Sequence, residues 1–317
     1  MGERQLHEPT RPIEPLLAVT PGGPPDDESL IDILTEHERV SVSAGLFAGD
    51  DRAVRATIAE RLKVYRTIAP AVMNDAIRAG VIGLTAETIW DVHMALAQHI
   101  VCLRKRTDEC FVVAVVGGPG AGKTTLSRLL AMILNQGFGL ATATMSSDDF
   151  YLPKSVRRAR GLRWRGMPET HDMGALIDAL LALKASREIP VLPRFDLGAD
   201  DRIGFEAVPG PLSFCLFEGW MTAALIGGLS ADLRTFIDYT AFLKADVDFL
   251  RRARLDKEAR IRAETDLRQG LPPAEMQTFW DDIIRPGLDS HVFPFEETAD
   301  LTIRIGAGHE VVAIQAR

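Results

Sequence analysis

A glycine-rich run followed by a lysine and two threonines is the strongest chemical signal in the sequence. The run G-G-P-G-A-G-K-T at residues 117–124 matches the pattern G-x-x-x-x-G-K-[ST] at every fixed position. Glycine lets backbone N–H groups curl around phosphate oxygens, and the positive end of a following helix strengthens that cradle. Lys123 is expected to reach the β- and γ-phosphates of a nucleoside triphosphate, and the Thr124 hydroxyl to coordinate Mg²⁺. The predicted nucleotide site comprises Gly117, Gly118, Pro119, Gly120, Ala121, Gly122, Lys123, Thr124 and Thr125.

Two neighbouring aspartates form the second signal, in the run S-S-D-D-F-Y-L-P at residues 146–153. Adjacent carboxylates repel each other, so Asp148 and Asp149 are not placed together for stability. They follow a predicted strand, and the ligand crevice of a doubly wound sheet lies at the carboxyl ends of its strands. A carboxylate there could orient a hydroxyl and accept its proton during phosphoryl transfer. The alternative is that these acids cap the next segment.

Along an extended segment, neighbouring side chains point to opposite faces, so only one of these two acids can easily face the γ-phosphate. The other acid would then cap the turn or hold an arginine on the substrate side. Phe150 and Tyr151, which follow the acids, would wall the crevice.

The elements that must position these residues alternate between strand and helix from residue 111 onward. F-V-V-A-V-V is an unbroken β-branched run, typical of a parallel strand buried on both faces. Further strands are predicted in G-L-A-T-A-T-M, P-L-S-F-C-L-F, D-Y-T-A-F-L and A-D-L-T-I-R-I, and a closing hairpin in I-R-I-G-A-G-H-E-V-V-A-I. This alternation predicts an α/β P-loop NTPase fold with a doubly wound, mainly parallel sheet.

The bulk composition excludes several classes of protein. Hydrophobic residues make up 46% and charged residues 25% of the 317 residues, a typical globular balance. The net charge of -8 argues against nucleic-acid and anionic-membrane partners, because both require a basic surface. The spacing of Cys102, Cys110 and Cys215 fits no zinc pattern, which indicates a reducing compartment with the thiols buried. The sequence shows no signal core or membrane-spanning run, so we expect a cytoplasmic protein.

Three classes of P-loop protein compete for this pattern. A GTPase is disfavoured, because Leu243 replaces the asparagine of N-K-x-D and no D-x-x-G switch follows the P-loop. A ring-forming ATPase should show a strand ending in paired acids and an arginine finger, whereas F-C-L-F-E-G-W offers the single Glu218. A kinase that phosphorylates a small molecule is the class that remains.

Five motifs in their order also resemble a known family. They are G-G-P-G-A-G-K-T-T-L-S, S-S-D-D-F-Y-L-P, G-M-P-E-T-H-D, L-P-R-F-D-L-G-A-D-D-R and F-E-G-W. Together they resemble the P-loop kinase family that contains D-glycerate 3-kinase and is related to uridine kinase, phosphoribulokinase and bacterial pantothenate kinase. The resemblance runs from about residue 111 to residue 305. The stretch G-L-R-W-R-G-M-P-E-T-H-D is similar to pantothenate kinase in particular.

The resemblance implies roles for individual residues. Asp148 would be the catalytic base, with Lys123 as its partner in catalysis, and Asp149 would then face away from the γ-phosphate. Glu218 would hold Mg²⁺ through a water, and Thr124 would bind it directly. His171 would approach the substrate from a loop together with Asp172, although Asp172 precedes a helical pattern and could equally cap it.

Arg194, Asp196 and Arg202 are the candidates for holding the acceptor. The carboxylate of a small hydroxy acid favours a bidentate guanidinium, and its free hydroxyl suits an aspartate. The alternative for the two arginines is a surface ion pair with Asp200 or Asp201. The full set of substrate candidates is Asp149, Tyr151, His171, Arg194, Asp196 and Arg202.

A cationic helix is predicted in D-F-L-R-R-A-R-L-D-K-E-A-R-I-R. In the related kinases a helical lid at this point brings arginines over the phosphates, so the resemblance implies that Arg254 and Lys257 clamp the transition state. The family usually has glutamine where Lys257 stands, and a solvated charged face is the alternative.

Three segments follow from these patterns: a flexible Pro/Gly-rich tail at 1–28, a helical accessory segment at 29–106 and a P-loop kinase domain at 107–317. In the accessory segment, Asp50 or Asp51 should cap one helix and Thr85 another. His93 and His99 lie six residues apart, which is wrong for two metal ligands on one helical face and favours polar flanks of an amphipathic helix.

The predicted function is ATP- and Mg²⁺-dependent phosphoryl transfer to a small hydroxy acid, with D-glycerate as the leading acceptor. Within the class, the alternative acceptors are pantothenate, uridine or a sugar. From another class, the alternative is a regulatory protein that senses ATP and has no transferase activity. Neither nucleic acid nor membrane is expected as a partner, and a homodimer is compatible with the sequence.

Overall fold

The structure is a computed structural model that describes residues 13, 17, 27–47, 49–81, 83–104, 109–185, 191–208, 210–227, 233–264 and 271–317. The predicted tail, 1–28, lies outside these residues except at positions 13, 17, 27 and 28. Two of them, Ile13 and Leu17, are buried against the core. No described helix is long and apolar enough to cross a membrane.

A central sheet carries the fold. Its six described strands are β1 Phe111–Gly117, β2 Thr142–Ser146, β5 Phe214–Gly219, β6 Tyr239–Lys244, β7 Leu301–Ile305 and β8 Val311–Ala316. They lie in the order β2-β5-β1-β6-β7-β8. All neighbouring pairs are parallel except the closing β7-β8 hairpin, which is antiparallel. Every residue of β1 and β5 is buried, as expected for strands covered on both faces. The predictions of a mainly parallel doubly wound sheet and of a closing hairpin are confirmed.

A separate antiparallel hairpin stands beside the central sheet. It is formed by β3 Val191–Asp196 and β4 Asp201–Ala207, and it contains the motif P-R-F-D-L-G-A-D-D-R. The sequence patterns did not predict these two strands. Strand β3 contacts the short 3₁₀ turn Ser147–Phe150, so the hairpin lies against the aspartate pair.

Along the chain, the described helices precede the first strand of the sheet or connect later strands. In chain order they are α1 Asp27–Glu38, α2 Asp51–Arg78, α3 Ala86–Thr88, α4 Ala95–Arg104, α5 Lys123–Met132, α6 Lys154–Ala159, α7 Met173–Ala185, α8 Thr222–Gly227, α9 Val247–Glu264, α10 Pro273–Phe279 and α11 Arg285–Gly287. Segments of π-helix interrupt or extend several of them: Ile89–Met94, Ile133–Gly137, Trp280–Ile284 and Leu288–Val292.

The N-terminal helices begin where their caps predict. The Asp50 carboxylate accepts from the Ala53 N–H at 2.8 Å, and the Thr85 hydroxyl accepts from the Thr88 N–H at 3.1 Å. Each cap satisfies an N–H that has no partner inside its helix. Both predicted helix starts are confirmed.

The long helix α2 packs closely on the helical segment that follows the P-loop. A β-carbon added at Gly137 would lie 2.7 Å from a Val64 methyl group, so the side chain of Val64 packs directly on the backbone of Gly137. Arg128 pairs with Asp75 at 3.1 Å across the same contact. One continuous hydrophobic core therefore includes residues of the N-terminal helices and of the sheet.

Two expectations about the accessory segment are wrong. His93 and His99 are not polar flanks, because His93 is buried and hydrogen-bonds the Thr88 carbonyl, whereas His99 is half-buried and contacts the Tyr239 hydroxyl at 3.0 Å. Tertiary packing turned both polar positions inward, and for His99 the neighbour is Tyr239 in the sheet. The three thiols are not all buried either, since Cys102 is exposed.

Candidate active site

The glycine-rich loop joins the buried strand β1 to helix α5, which begins at Lys123. Gly120 and Gly122 have φ angles of 88° and 93°, a backbone region that side-chain-bearing residues rarely adopt. The Lys123 ammonium is buried and donates to the Gly118 carbonyl at 3.0 Å. Burial lowers the pKa of Lys123, and the negative charges of Glu218 and Asp148 oppose that effect. The loop therefore has the backbone and the charge that a phosphate cradle requires.

Helix α9 lies directly over this loop. A β-carbon added at Gly120 would lie 2.8 Å from the β-carbon of Ala253, inside the distance that real side chains keep. Lys257, on the same helix, is close enough for its charge to lower the pKa of Lys123. The predicted lid helix thus reaches the phosphate cradle.

Arg254, the other lid candidate, is mostly buried and pairs with Glu258 one turn further along α9. Burial lowers the pKa of Arg254, and the nearby charge of Arg165 lowers it further, while Asp148 raises it. Arg165 was missed by the sequence analysis. Its only sequence signal is its place in R-W-R-G, just before the P-E-T-H-D motif.

A hydroxyl and a carboxylate meet beside the cradle. The Thr124 hydroxyl donates to Glu218 Oε1 at 3.0 Å, joining the first turn of α5 to the end of β5. Burial raises the pKa of Glu218, and the Lys123 charge opposes that rise. Hard cations such as Mg²⁺ prefer oxygen ligands of this kind. Thr124 and Glu218 therefore fit the magnesium site predicted for them.

Asp148 and Asp149 lie in a 3₁₀ turn, Ser147–Phe150, and not on the extended segment that the sequence predicted. The Ser146 side chain accepts from the Asp148 N–H at 3.3 Å and caps this turn. A tight turn, like a strand, sends neighbouring side chains in different directions, so the expected separation of the two acids still holds. The predicted cause of that separation, an extended segment, was wrong.

Asp148 is directed into the site. Its Oδ1 atom is buried and has no hydrogen-bond partner among the described residues. Its negative charge raises the pKa of Lys123, Glu218 and His171, which places the carboxylate among the groups of the phosphate site. A carboxylate with an unused acceptor oxygen beside a phosphate cradle is suited to accept a proton from a bound hydroxyl.

Asp149 is directed at the β3-β4 hairpin. Its carboxylate accepts from Arg194 Nη1 at 2.8 Å and from the Phe195 N–H at 3.0 Å. Burial raises the pKa of Asp149, and these two hydrogen bonds oppose that rise. The hypothesis that the second acid holds an arginine agrees with this geometry.

An aromatic wall stands next to Asp148. The rings of Tyr151 and His171 contact each other with centroids 4.4 Å apart, and Trp220 Nε1 donates to the Tyr151 hydroxyl at 3.3 Å. Both Tyr151 and His171 are buried. Phe150 was also expected to wall the crevice, but it is completely buried in the hydrophobic core.

Arg202 lies behind this wall. It donates to the Tyr151 carbonyl at 3.1 Å and to Asp172 at 3.2 Å. Asp172 also accepts from the Ala175 N–H at 3.2 Å, so the helix-capping interpretation of this acid agrees with the structure. The ion pairs that were considered for Arg194 and Arg202 with Asp200 or Asp201 are not formed.

Asp200 instead accepts from Arg157 at 2.8 Å and from Arg165 at 2.7 Å. Asp196 accepts from the N–H groups of Gly198 at 2.7 Å and Ala199 at 2.8 Å, which closes the turn between β3 and β4. The structure therefore gives Asp196 a turn-forming contact, and its neighbour Phe195 is the residue that bonds Asp149.

Comparison with known proteins supports the same class. No protein-family model matches the chain. Pantothenate kinase of Shewanella amazonensis is 27% identical over 228 residues, covering 65% of this chain and 71% of that protein. Pantothenate kinase of Chelativorans sp. is 26% identical over 234 residues, with the same two coverages of 65% and 71%. The structure of D-glycerate 3-kinase from Cryptococcus neoformans superposes with a TM-score of 0.59 at 22% identity, covering 70% of this chain and 98% of the other.

The predicted resemblance to P-loop kinases is confirmed by these relatives. The structural likeness shows the fold, and the sequence relatives are kinases. Together they support a P-loop kinase that phosphorylates a small molecule. The region shared with D-glycerate 3-kinase is most of that protein and about two thirds of this chain.

Proposed function

We propose that the chain is an ATP- and Mg²⁺-dependent kinase that transfers the γ-phosphoryl group to a hydroxyl of a small hydroxy acid, with D-glycerate as the first candidate. The observation that carries this proposal is the unpartnered Oδ1 of Asp148, buried beside the phosphate cradle. A protein that merely binds nucleotide has no need of an unpaired carboxylate at that point. This argues against an ATP-sensing regulatory protein without transferase activity.

The chain's own residues account for the chemical step. Asp148 would hold the acceptor hydroxyl and take its proton, as the hydroxyl oxygen forms a bond to the γ-phosphorus and the bond to the leaving ADP oxygen breaks. Lys123 would neutralise charge on the phosphate oxygens once they displace its contact with the Gly118 carbonyl. Mg²⁺ held by Thr124 and Glu218 would supply further charge neutralisation on the phosphates.

The lid completes this site from the other side. Arg254 and Lys257 lie on helix α9, over the loop at Gly120. Lys257 and Lys123 carry like charges close together, so an anion bound between them would relieve their repulsion. Triphosphate binding is therefore expected to hold α9 against the loop.

A carboxylate on the acceptor accords with the arginines near the aspartate pair. Arg194 and Arg202 have side-chain exposures of 31% and 14%; Arg194 already pairs with Asp149 and Glu206, and Arg202 with Asp172. An acceptor carboxylate would share or replace those partners. Pantothenate also carries a carboxylate and a primary hydroxyl, and the curated relatives are pantothenate kinases. It is therefore the second candidate.

Acceptor-dependent release of ADP tests the proposal. The protein would be incubated with Mg-ATP and a panel of D-glycerate, pantothenate, uridine and simple sugars. Turnover that depends on D-glycerate is the expected result, and turnover with pantothenate would select the second candidate. Turnover only with uridine or a sugar would exclude a hydroxy acid. Tight ATP binding with no acceptor-dependent turnover would exclude a kinase altogether.

A further inference from the structure

The two ring nitrogens of His171 have different surroundings. Nδ1 lies 3.1 Å from the Met167 carbonyl and 3.3 Å from the Pro168 carbonyl. A carbonyl oxygen can only accept a hydrogen bond, so Nδ1 must carry the proton. The loop Met167–Thr170 therefore fixes the tautomer of the ring.

Nε2, on the far edge of the ring, is buried and has no partner among the residues that the structure describes. The side chain as a whole is only 4% exposed. Burial lowers the pKa of His171, and this outweighs the raising effect of the Asp148 charge. The ring is therefore neutral, and Nε2 offers a lone pair that accepts a hydrogen bond.

Asp148 offers a second unused acceptor in the same place. Its Oδ1 is buried without a partner, and its charge acts on His171 and on Tyr151, whose ring contacts His171. A buried acceptor without a donor costs free energy, and two such atoms near each other are uncommon in a folded protein. No described residue donates a hydrogen bond to either atom, although the Tyr151 hydroxyl is close enough to the Asp148 carboxylate for that charge to raise the pKa of Tyr151.

The geometry points to an acceptor molecule with two hydroxyls, one bound to Asp148 and a second bound to His171 Nε2. The inference rests on the proposed kinase function and adds a second point of recognition, a hydroxyl other than the one that is phosphorylated. Asp148 would take the proton of the hydroxyl that is phosphorylated. His171 would act as a specificity residue that positions the acceptor through the other hydroxyl, without entering the chemical step.

Matched acceptors with and without the second hydroxyl test this inference. D-Glycerate would be compared with 3-hydroxypropionate, which keeps the carboxylate and the primary hydroxyl, and pantothenate with its analogue lacking the secondary hydroxyl. Loss of a hydrogen bond that satisfies a buried acceptor should lower kcat/KM at least about tenfold. Equal kcat/KM for a diol and its deoxy analogue would overturn the inference and leave the kinase function intact.

Variants of His171 test whether the discrimination between diol and deoxy analogue comes from this residue. His171→Phe keeps a ring against Tyr151 but has no acceptor, so the ratio of kcat/KM between diol and deoxy analogue should fall to about one. His171→Gln keeps an amide oxygen that can accept, and it should retain part of the discrimination. His291→Gln, remote from the aspartate pair in sequence and outside the proposed site, is the matched control and should leave the ratio unchanged. Unchanged discrimination in His171→Phe would contradict the assignment.

The tautomer gives a readout that does not depend on turnover. Nitrogen-15 NMR of the labelled protein at pH 7 should show His171 neutral with the proton on Nδ1. A proton on Nε2, or a doubly protonated ring, would overturn the inference whatever the activity. If no diol in the panel is phosphorylated, the proposed function fails and this inference fails with it.

Discussion

Asp148 and Asp149 are chemically identical neighbours, but the 3₁₀ turn that contains them gives their side chains different surroundings. Asp149 has a guanidinium and a backbone N–H as partners, whereas one oxygen of Asp148 has none. The first arrangement ties the β3-β4 hairpin to the end of β2. The second leaves an acceptor for a ligand. Replacing each acid by its amide separates these roles with almost no change of volume.

Asp148→Asn is expected to lower kcat by about 1,000-fold, because an amide cannot accept the hydroxyl proton. The Kd for ATP should stay within about threefold, since the group is proposed to act on the acceptor rather than on the nucleotide. Steady-state kinetics and calorimetric ATP titration measure the two quantities. A comparable loss of ATP affinity would mean that Asp148 serves the metal.

Asp149→Asn is the matched control for that variant. Its amide oxygen can still accept from the Phe195 N–H, but the charge that holds Arg194 is lost. We expect a raised KM for the acceptor and a loss in kcat of less than about tenfold. Equal losses of kcat in the two variants would contradict the asymmetry.

At the scale of elements, helix α9 lies in close contact with the phosphate loop, and we propose that nucleotide binding depends on this contact. Gly120 combines a left-handed backbone with a neighbour on α9 that leaves no room for a methyl group. The loop and the helix can therefore meet only because this position has no side chain. The contact between Gly120 and Ala253 therefore joins α9 to the loop.

Gly120→Ala should raise the Kd for ATP at least about tenfold, because the methyl group meets Ala253 and the backbone at φ 88° becomes strained. Gly174→Ala is the control, since a β-carbon there meets its nearest neighbour at 3.8 Å and the backbone is not left-handed. Calorimetric titration of ATP into both variants measures the difference. Unchanged affinity in Gly120→Ala would mean that α9 moves away from the loop when ATP binds.

The sequence predicted those elements that carry a strong local pattern. The β-branched run of β1, the glycine-rich loop and the helix caps at Asp50 and Thr85 each depend on residues that are close in sequence, and each was confirmed. The β3-β4 hairpin was missed, because its strands contain proline, glycine and charged residues and so lack regular alternation. The 3₁₀ turn at Asp148 was missed because a capping serine and two acids suit several turn conformations.

Contacts between distant residues account for what the sequence did not predict in the site. Arg165 pairs with Asp200, and its charge lowers the pKa of Arg254. No residue spacing in the sequence predicts either interaction. The substrate role of Arg194 stays a prediction, and its bond to Asp149, which joins strand β3 to the 3₁₀ turn, depends on the fold. Residue types indicated the chemistry, whereas the pairing of those residues required the tertiary structure.

At the scale of the whole molecule, we propose that residues 29–106 are an accessory segment that stabilises the kinase domain at 107–317. Helix α2 packs on the segment after the P-loop helix, near Gly137, and the buried residues of both parts form one hydrophobic cluster. A shared core favours cooperative unfolding of the two parts. The phosphate cradle would then depend on helices that carry no catalytic residue.

Ile68→Ala tests this dependence. Ile68 is 2% exposed and faces the contact at Gly137, so its truncation should lower the free energy of unfolding by about 2–5 kcal/mol. Ile77→Ala, on the same helix at 64% exposure, should change it by less than about 0.5 kcal/mol. Urea unfolding followed by circular dichroism and by tryptophan fluorescence should give one coincident transition. Two separate transitions would mean that the accessory segment folds independently.

The hydrogen bond from the Ile314 N–H to the Val42 carbonyl, at 3.0 Å, joins the accessory segment to strand β8. During synthesis on the ribosome, Val42 emerges long before Ile314 does, and helix α2 emerges before the P-loop helix segment on which it packs. The apolar faces of the first helices are therefore exposed to solvent until the strands of the sheet have been synthesised. Such a chain exposes surface on which aggregation begins, so its yield in a cell should depend on chaperones that hold nascent chains.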